Sequence, residues 1–143
     1  AYGAQPLLVN GVQRTLEQVV LNLVINARDA LRGSSIARRK ITVATYSRHE
    51  TGLVVIDVAD NGPGIPESIR ERIFDPFFTT KPVGQGVGLG LSISYGIVRD
   101  MGGVLRLVPD APGTIFRVEL PAFAEEPVTE TRNAQPAEVS ADR

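Results

Sequence analysis

The sequence contains no cysteine, no tryptophan and a single histidine, His49. Without cysteine the chain cannot build a disulfide framework, a thiolate metal site or a cysteine nucleophile, and the absence fits a reducing compartment. Neither sign of charge dominates. Fifteen basic and 16 acidic residues leave a formal net charge of −1, so there is no broad basic surface and nucleic acid is not an expected partner. No apolar run approaches the length of a membrane span, and the N-terminus lacks a signal-peptide pattern. The segment is expected to be soluble, with an anchor elsewhere on a longer parent left open. What is present is an ordinary globular composition, 43% hydrophobic over 143 residues, which suits one domain around one core.

Along the chain, residues 1–11 read as an irregular or strand-like lead-in containing Leu7-Leu8-Val9. A helix is predicted from Gln13 to Leu31, with Val20, Val24, Ala27 and Leu31 at helical spacing and Gly33-Ser34-Ser35 as its stop. Ile41-Thr42-Val43 alternates, and Leu53 to Ala59 is almost continuously apolar, as in a sheet buried on both faces. Ser47 to Gly52 forms the polar hairpin tip between them. From Asp60 to Gly88 glycines and prolines break every pattern except a short helical patch from Glu67 to Phe74. So long an irregular stretch inside a compact domain argues for a functional element such as a lid. A second helix, Leu89 to Met101, places Leu89, Ile93, Ile97 and Met101 on one face and stops at Gly102-Gly103. Val104 to Val108 and Thr114 to Leu120 close the domain as a hairpin. Residues 124–143 are poor in large apolar side chains and read as a disordered tail or linker. The order predicts an α/β two-layer sandwich over residues 12–123, with helices on one face of a mixed sheet and a long lid.

Three features carry chemistry. On the first helix Gln18, Asn22, Asn26 and Asp29 share one side, opposite the apolar stripe. A polar stripe can be simply a solvated face. Two asparagines in mid-helix, where they are poor helix formers, and their apolar neighbours Leu21, Leu23 and Ile25 point instead to a partly covered site. Covered amides need partners, and amide oxygens are hard ligands suited to Mg²⁺. Next, Asp60-Asn61-Gly62-Pro63-Gly64 follows directly on the apolar strand. It can be a plain turn, or a carboxylate fixed at a strand end to bind a flat heterocycle, with glycines allowing close approach. Finally, Gly84-Gln85-Gly86-Val87-Gly88-Leu89-Gly90 opens the second helix. It can be a hinge, or a backbone cradle for phosphates at a helix N-terminus. It is neither a Walker A motif nor a dinucleotide fingerprint.

Together and in this order the three resemble the histidine-kinase branch of the ATPase superfamily shared with DNA gyrase, Hsp90 and MutL. Leu21 to Asp29 is similar to the family's N box, Asp60 to Ile65 to its first Gly box, Phe74 to Lys81 to its F box, and Gly86 to Leu91 to its second Gly box. The resemblance covers Leu16 to Pro121 and implies a Bergerat-type ATP-binding fold. It implies that Asn26 coordinates Mg²⁺ and that Asn22 helps to place the ATP phosphates, these two being the catalytic pair. Asp60 would bind the adenine amino group, with Gly62, Gly64 and Ile65 near the base and Thr114 supporting Asp60. Gly86, Val87, Gly88, Leu89 and Gly90 would cradle the phosphates, with Asp29 also at the nucleotide. Lys81 is a candidate phosphate contact or a solvated lysine. Phe74, Phe77 and Phe78 would pin the lid against the core or a partner domain.

The gyrase and Hsp90 branches carry a glutamate one turn before the metal-binding asparagine, where it activates water. Here that position is Asn22, which is no general base, and Glu17 is displaced about 140° around the helix. The resemblance therefore implies a protein histidine kinase rather than an ATPase, with the attacking imidazole delivered by a partner domain. His49 lies in the hairpin tip before Thr51-Gly52 and reads as a surface turn histidine, not a phosphoacceptor. The implied partners are a helical dimerisation and phosphoacceptor domain of the same parent and a downstream response regulator. The implied parent is a cytoplasmic or membrane-anchored homodimer, and the segment itself is expected to be monomeric. A nucleotide-sensing scaffold without phosphotransfer and a serine-directed kinase of the same superfamily are the competing readings.

Overall fold

A computed structural model of the chain describes residues 7–11, 13–82, 84 and 86–123. The expected tail, residues 1–6 of the lead-in and Gln85 of the glycine run lie outside the described residues. The elements are α1 (Gln13–Arg32), β1 (Ile41–Arg48), β2 (Leu53–Asp60), α2 (Glu67–Arg70), α3 (Gly90–Asp100), β3 (Val104–Leu107) and β4 (Thr114–Pro121). The order is the expected one, but β1 runs on through Ser47 and Arg48, which the sequence pattern assigns to the hairpin tip, because both pair with β2. Helix α2 is shorter than the helical patch expected to Phe74.

The strands form one sheet in the order β1-β2-β4-β3. Every pairing is antiparallel, which corrects the expected mixed sheet. β2 and β3 do run the same way, but β3 turns straight back into β4, and β4 takes the place between them. The helices cover one face, α1 against β2 and α3 against β3, with the two helices also touching each other. Val19 and Leu23 of α1 and Val98 of α3 meet Ile56, Val58, Leu105, Phe116, Val118 and Leu120 of the sheet in one core.

The buried stripe of α1 is Val19, Leu23, Ala27 and Leu31. The expected Val20 and Val24 lie one residue round, partly buried at its margin. Apolar residues at both sets satisfy the helical period, so periodicity alone does not choose between them. On α3 the fully covered residues are Ser94 and Val98, with Leu91, Ile97 and Met101 alongside, whereas Ile93 is 42% exposed. Gly102 ends α3 in the left-handed conformation (φ 73°), and Gly103 N–H donates to the Val98 carbonyl at 2.9 Å.

The other face of the sheet departs from the continuous apolar burial read into β2. Val55 is fully buried there, but what covers it is a lattice of charged side chains. The Arg117 guanidinium donates to both oxygens of Asp57 at 2.7 Å, and Tyr46 Oη donates to Asp57 at 3.1 Å. Arg48 and Arg106 both donate to Glu119. Asp57, Arg117 and Glu119 are themselves largely covered, with 13–16% of their side-chain surface exposed, while Arg48 and Arg106 stay wetter. Burial would raise the Asp57 carboxyl, but its bonds to Arg117 and Tyr46 outweigh that and hold it below its usual value. The bond from Arg106 does the same for Glu119, against a smaller burial effect.

A carboxylate depressed in the folded state stabilises it at neutral pH, and that contribution is lost as pH falls through the folded value. Asp60 is shifted upward by burial and so contributes in the opposite sense. Urea midpoints measured from pH 7 downward should therefore fall below the ordinary carboxylate range of about 4. Arg117→Met should cost about 1–3 kcal/mol at pH 7 and flatten that acid slope. An unchanged slope in the variant would show that the lattice is not its source.

Candidate nucleotide-binding site

Helix α1 forms the floor of the site. Asn22 Nδ2 donates to the Gly90 carbonyl at 3.3 Å and to Ser94 Oγ at 3.2 Å, both on α3. One turn on, Asn26 Nδ2 is buried without a hydrogen-bond partner among the described residues. Further along, Leu31 lies beside the glycine loop that follows β2: a Cβ added at Gly62 would sit 3.6 Å from Leu31 Cδ2. From Asn22 to Leu31 the helix rises about 13 Å, which separates the asparagine end of the candidate site from its Gly62 end.

At the Gly62 end sits Asp60, only 7% exposed. Its carboxylate accepts the Gly62 N–H at 2.8 Å and is bonded by Thr114, its neighbour across the β2–β4 pairing. Burial pushes the Asp60 carboxyl up, and these bonds only partly offset it. The carboxylate is thus oriented in advance, and its charge is held at a cost in the folded state. Gly62 is required here because a Cβ would come within 2.6 Å of Asp60 Oδ1. Behind it Gly113 (φ 108°) presses directly on the Asp60 carbonyl. Gly64 (φ 78°) abuts Gly113. Asn61 points elsewhere. It donates to Arg38 O and accepts from Lys40 N–H, clamping the segment before β1.

At the asparagine end α3 begins at Gly90 with no side-chain cap. Its first-turn N–H groups face no intrahelical acceptor, which makes this terminus suited to an anion. Gly86 and Val87 are exposed, and Gly88 and Leu89 partly so. The neck of the lid is closed by Phe77 N–H donating to the Gly88 carbonyl at 2.9 Å. Gly88 (φ 72°) is needed there, since a Cβ would overlap the Phe77–Phe78 backbone at 2.6–2.8 Å. Lys81 is paired and partly exposed. Its Nζ binds Asp29 Oδ2 at 2.6 Å, tying the lid to α1, and Arg28 donates to the other Asp29 oxygen. The Lys81 bond is the main reason the Asp29 carboxyl lies below its usual value.

The three lid phenylalanines divide. Phe74 packs in the core against Tyr95 and Phe116, with ring centroids 5.3 and 6.3 Å apart. Phe78 lies under the Arg72 guanidinium at 4.7 Å. Phe77 is 71% exposed in a left-handed conformation. Gln18 is exposed. Ile65 packs on the core, and its carbonyl accepts from Arg70. His49 is an exposed turn residue bonded to Ser47.

The unpaired Asn26 amide is the structural test of a metal–phosphate ligand. A buried carboxamide without a partner is costly, and a ligand relieves it. The group offers a donor for a phosphate oxygen or, turned about χ2, an oxygen for a hard cation. The residues present therefore fit Mg²⁺ with a phosphate. A cleft of about 230 Å³ lies between the Pro63–Arg70 segment and the β3–β4 turn, and Gly64, Ile65 and Gly113 line it, so it adjoins the Asp60 end of the site. None of Asn22, Asn26, Asp29 or Asp60 lines it.

Sequence reasoning missed Ser94 and Gly113. A serine within a helix and a glycine before a strand carry no signal by themselves, because only tertiary packing brings them to Asn22 and Asp60.

Residues 11–124 match a family model described as histidine kinase-, DNA gyrase B-, and HSP90-like ATPase. The two-component sensor PprA of Pseudomonas aeruginosa is 47% identical over 121 residues, covering 84% of this chain and 13% of that protein. The sensor kinase CckA of Brucella abortus is 44% identical over 120 residues, covering 77% of this chain and 13% of that protein. The chain thus spans a small part of the curated relatives it matches. Among solved structures, the mycobacterial sensor histidine kinase MprB superposes with a TM-score of 0.67 at 34% identity, covering 80% of this chain and 74% of that one. The catalytic domain of histidine kinase ThkA superposes with a TM-score of 0.65 at 35% identity, covering 79% and 71%.

Proposed function

Because the chain belongs to the histidine kinase-, DNA gyrase B- and HSP90-like ATPase family, we propose that it binds Mg-ATP along α1 and donates the γ-phosphoryl group to a histidine on a separate helical domain. Residues 12–123 form the catalytic unit in this reading, and the rest of the parent supplies the phosphoacceptor helix, dimerisation and contact with a response regulator. The observation that carries it is the different chemistry at the two ends of α1. A buried, pre-oriented acceptor, Asp60, stands at one end, and an unpaired amide and an uncapped helix N-terminus stand at the other.

Asp60 accepts the adenine amino group, with Gly62 and Gly64 giving the base room. Asn26 holds Mg²⁺, which when bound neutralises phosphate charge. The first turn of α3 and residues 86–90 donate main-chain N–H groups to phosphate oxygens. Asn22 is no proton acceptor and its amide protons are engaged by α3, so the site holds ATP without activating water against it. Lys81, now on Asp29, is within the lid and available to phosphate if that pair opens. Among the described residues no helix is long and apolar enough to cross a membrane.

Calorimetric titration with Mg-ATP should show one site. Mixing with γ-labelled ATP and a separately produced helical domain bearing a phosphoacceptor histidine should give an acid-labile, base-stable phosphoprotein. No binding at millimolar nucleotide would defeat the reading. An acid-stable product would favour the serine-directed alternative.

A further inference from the structure

Three polar residues of the described chain are buried: Asp60, Thr114 and Ser94. Asp60 and Thr114 bond each other. Ser94, with no exposed surface at all, has no part in the roles assigned so far. Its oxygen accepts a proton from Asn22 Nδ2 at 3.2 Å, and the Gly90 carbonyl takes the other at 3.3 Å. A carboxamide has two N–H protons and one oxygen. With both protons engaged on α3, the Asn22 group is fixed against a flip, and Oδ1 is left without a partner among the described residues.

We propose that Ser94 is a positioning residue for the phosphate end of the nucleotide site, acting through Asn22; the proposal rests on the nucleotide reading given above. Ser94 lies one turn into α3, four residues after Gly90, where the glycine run ends. It pins α1 to the start of α3 and, by holding both N–H groups there, leaves the Asn22 oxygen as the group free for a ligand. Without the hydroxyl a single long bond to Gly90 holds the amide, and the two faces of the carboxamide become interchangeable. A serine buried merely for packing would have no such dependence on Asn22.

Two measurements on the full chain separate the readings. The first needs no nucleotide. In ¹⁵N-edited NMR spectra the Asn22 side-chain NH₂ pair, identified by its loss in Asn22→Asp, should exchange with solvent faster in Ser94→Ala than in the parent. The second is a double-mutant cycle on Mg-ATP affinity. Ser94→Ala should weaken Mg-ATP about tenfold, leave adenosine unchanged, and add nothing further in the Asn22→Ala background. Ser94→Cys fills the same space with a weaker acceptor and should fall between serine and alanine, which keeps the test open if Ser94→Ala does not fold. Equal losses for Mg-ATP and adenosine, or additive losses with Asn22→Ala, would overturn the positioning role. Faster amide exchange in Ser94→Ala, with a parent that binds no Mg-ATP, would overturn it too, but by removing the nucleotide reading and leaving Ser94 a packing pin.

Discussion

Asp60→Asn should lower affinity for Mg-ATP and for adenosine by roughly a hundredfold while leaving inorganic tripolyphosphate binding within about twofold. The wild-type carboxylate is buried and held by Gly62 N–H and Thr114, so it meets an exocyclic amine with its acceptors already aimed. Asparagine replaces one acceptor with a donor, which faces the donor of the base. Losing a charge-assisted bond and leaving donors unpaired costs about 2–3 kcal/mol, which is one to two decades in Kd. Competition against a fluorescent nucleotide would measure all three ligands, and equal losses for adenosine and tripolyphosphate would refute the adenine contact. The pH dependence follows with a definite sign. Only the ionised group accepts from the base at both oxygens, and burial raises its pKa. Adenosine affinity should therefore be full at neutral pH and fail on acidification sooner than an ordinary aspartate would allow.

Asn26→Ala should abolish the Mg²⁺-dependent part of ATP affinity, a loss of about 10–100-fold on the scale of one charge-assisted ligand, yet leave the unliganded domain as stable as before or more so. The second half of that expectation comes from the amide itself. Its Nδ2 is buried and unpaired, and deleting an unsatisfied donor removes a penalty rather than a bond. Titrations with and without a chelator, beside thermal melts, would test both halves. Mg²⁺ dependence retained in the variant would sink the metal assignment. A large drop in melting temperature would show that the amide serves the fold rather than the ligand.

Much of this was readable along the chain. Asn22, Asn26, Asp60 and the run ending at Gly90 stand out because each breaks a local preference: asparagine in mid-helix, a carboxylate closing an apolar strand, glycines opening a helix. The structure sets Asn22 against Gly90 at the start of α3, with Asn26 one turn on, and Gly62, bonded to Asp60, near Leu31 at the far end of α1. What could not be read depends on register and packing. Asp57 and Arg117 are unremarkable until Asp57↔Arg117 are paired across β2 and β4, and a shift by one residue would send them to opposite faces. The same holds for Glu119 between Arg48 and Arg106. Lys81 gave no sign of Asp29, since a lid carries no period that says where it folds back. The buried stripe of α1 differed by one residue because two adjacent apolar sets both fit a helix.

The place of β4 has a consequence for the order of folding. Asp60 pairs with Thr114 across the whole of the lid, α3 and β3, so the sheet's centre closes by one long loop, and long-range closure is slow compared with a hairpin or a helix. The β1–β2 hairpin and both long helices can form from local contacts. Until β4 inserts, however, Asp60 lacks Thr114, Gly113 does not press on its carbonyl, and the carboxylate has no fixed direction. On the proposed role of Asp60, adenine recognition would be a late event in folding, and nucleotide binding during refolding should track completion of the central strand pair rather than the growth of helix.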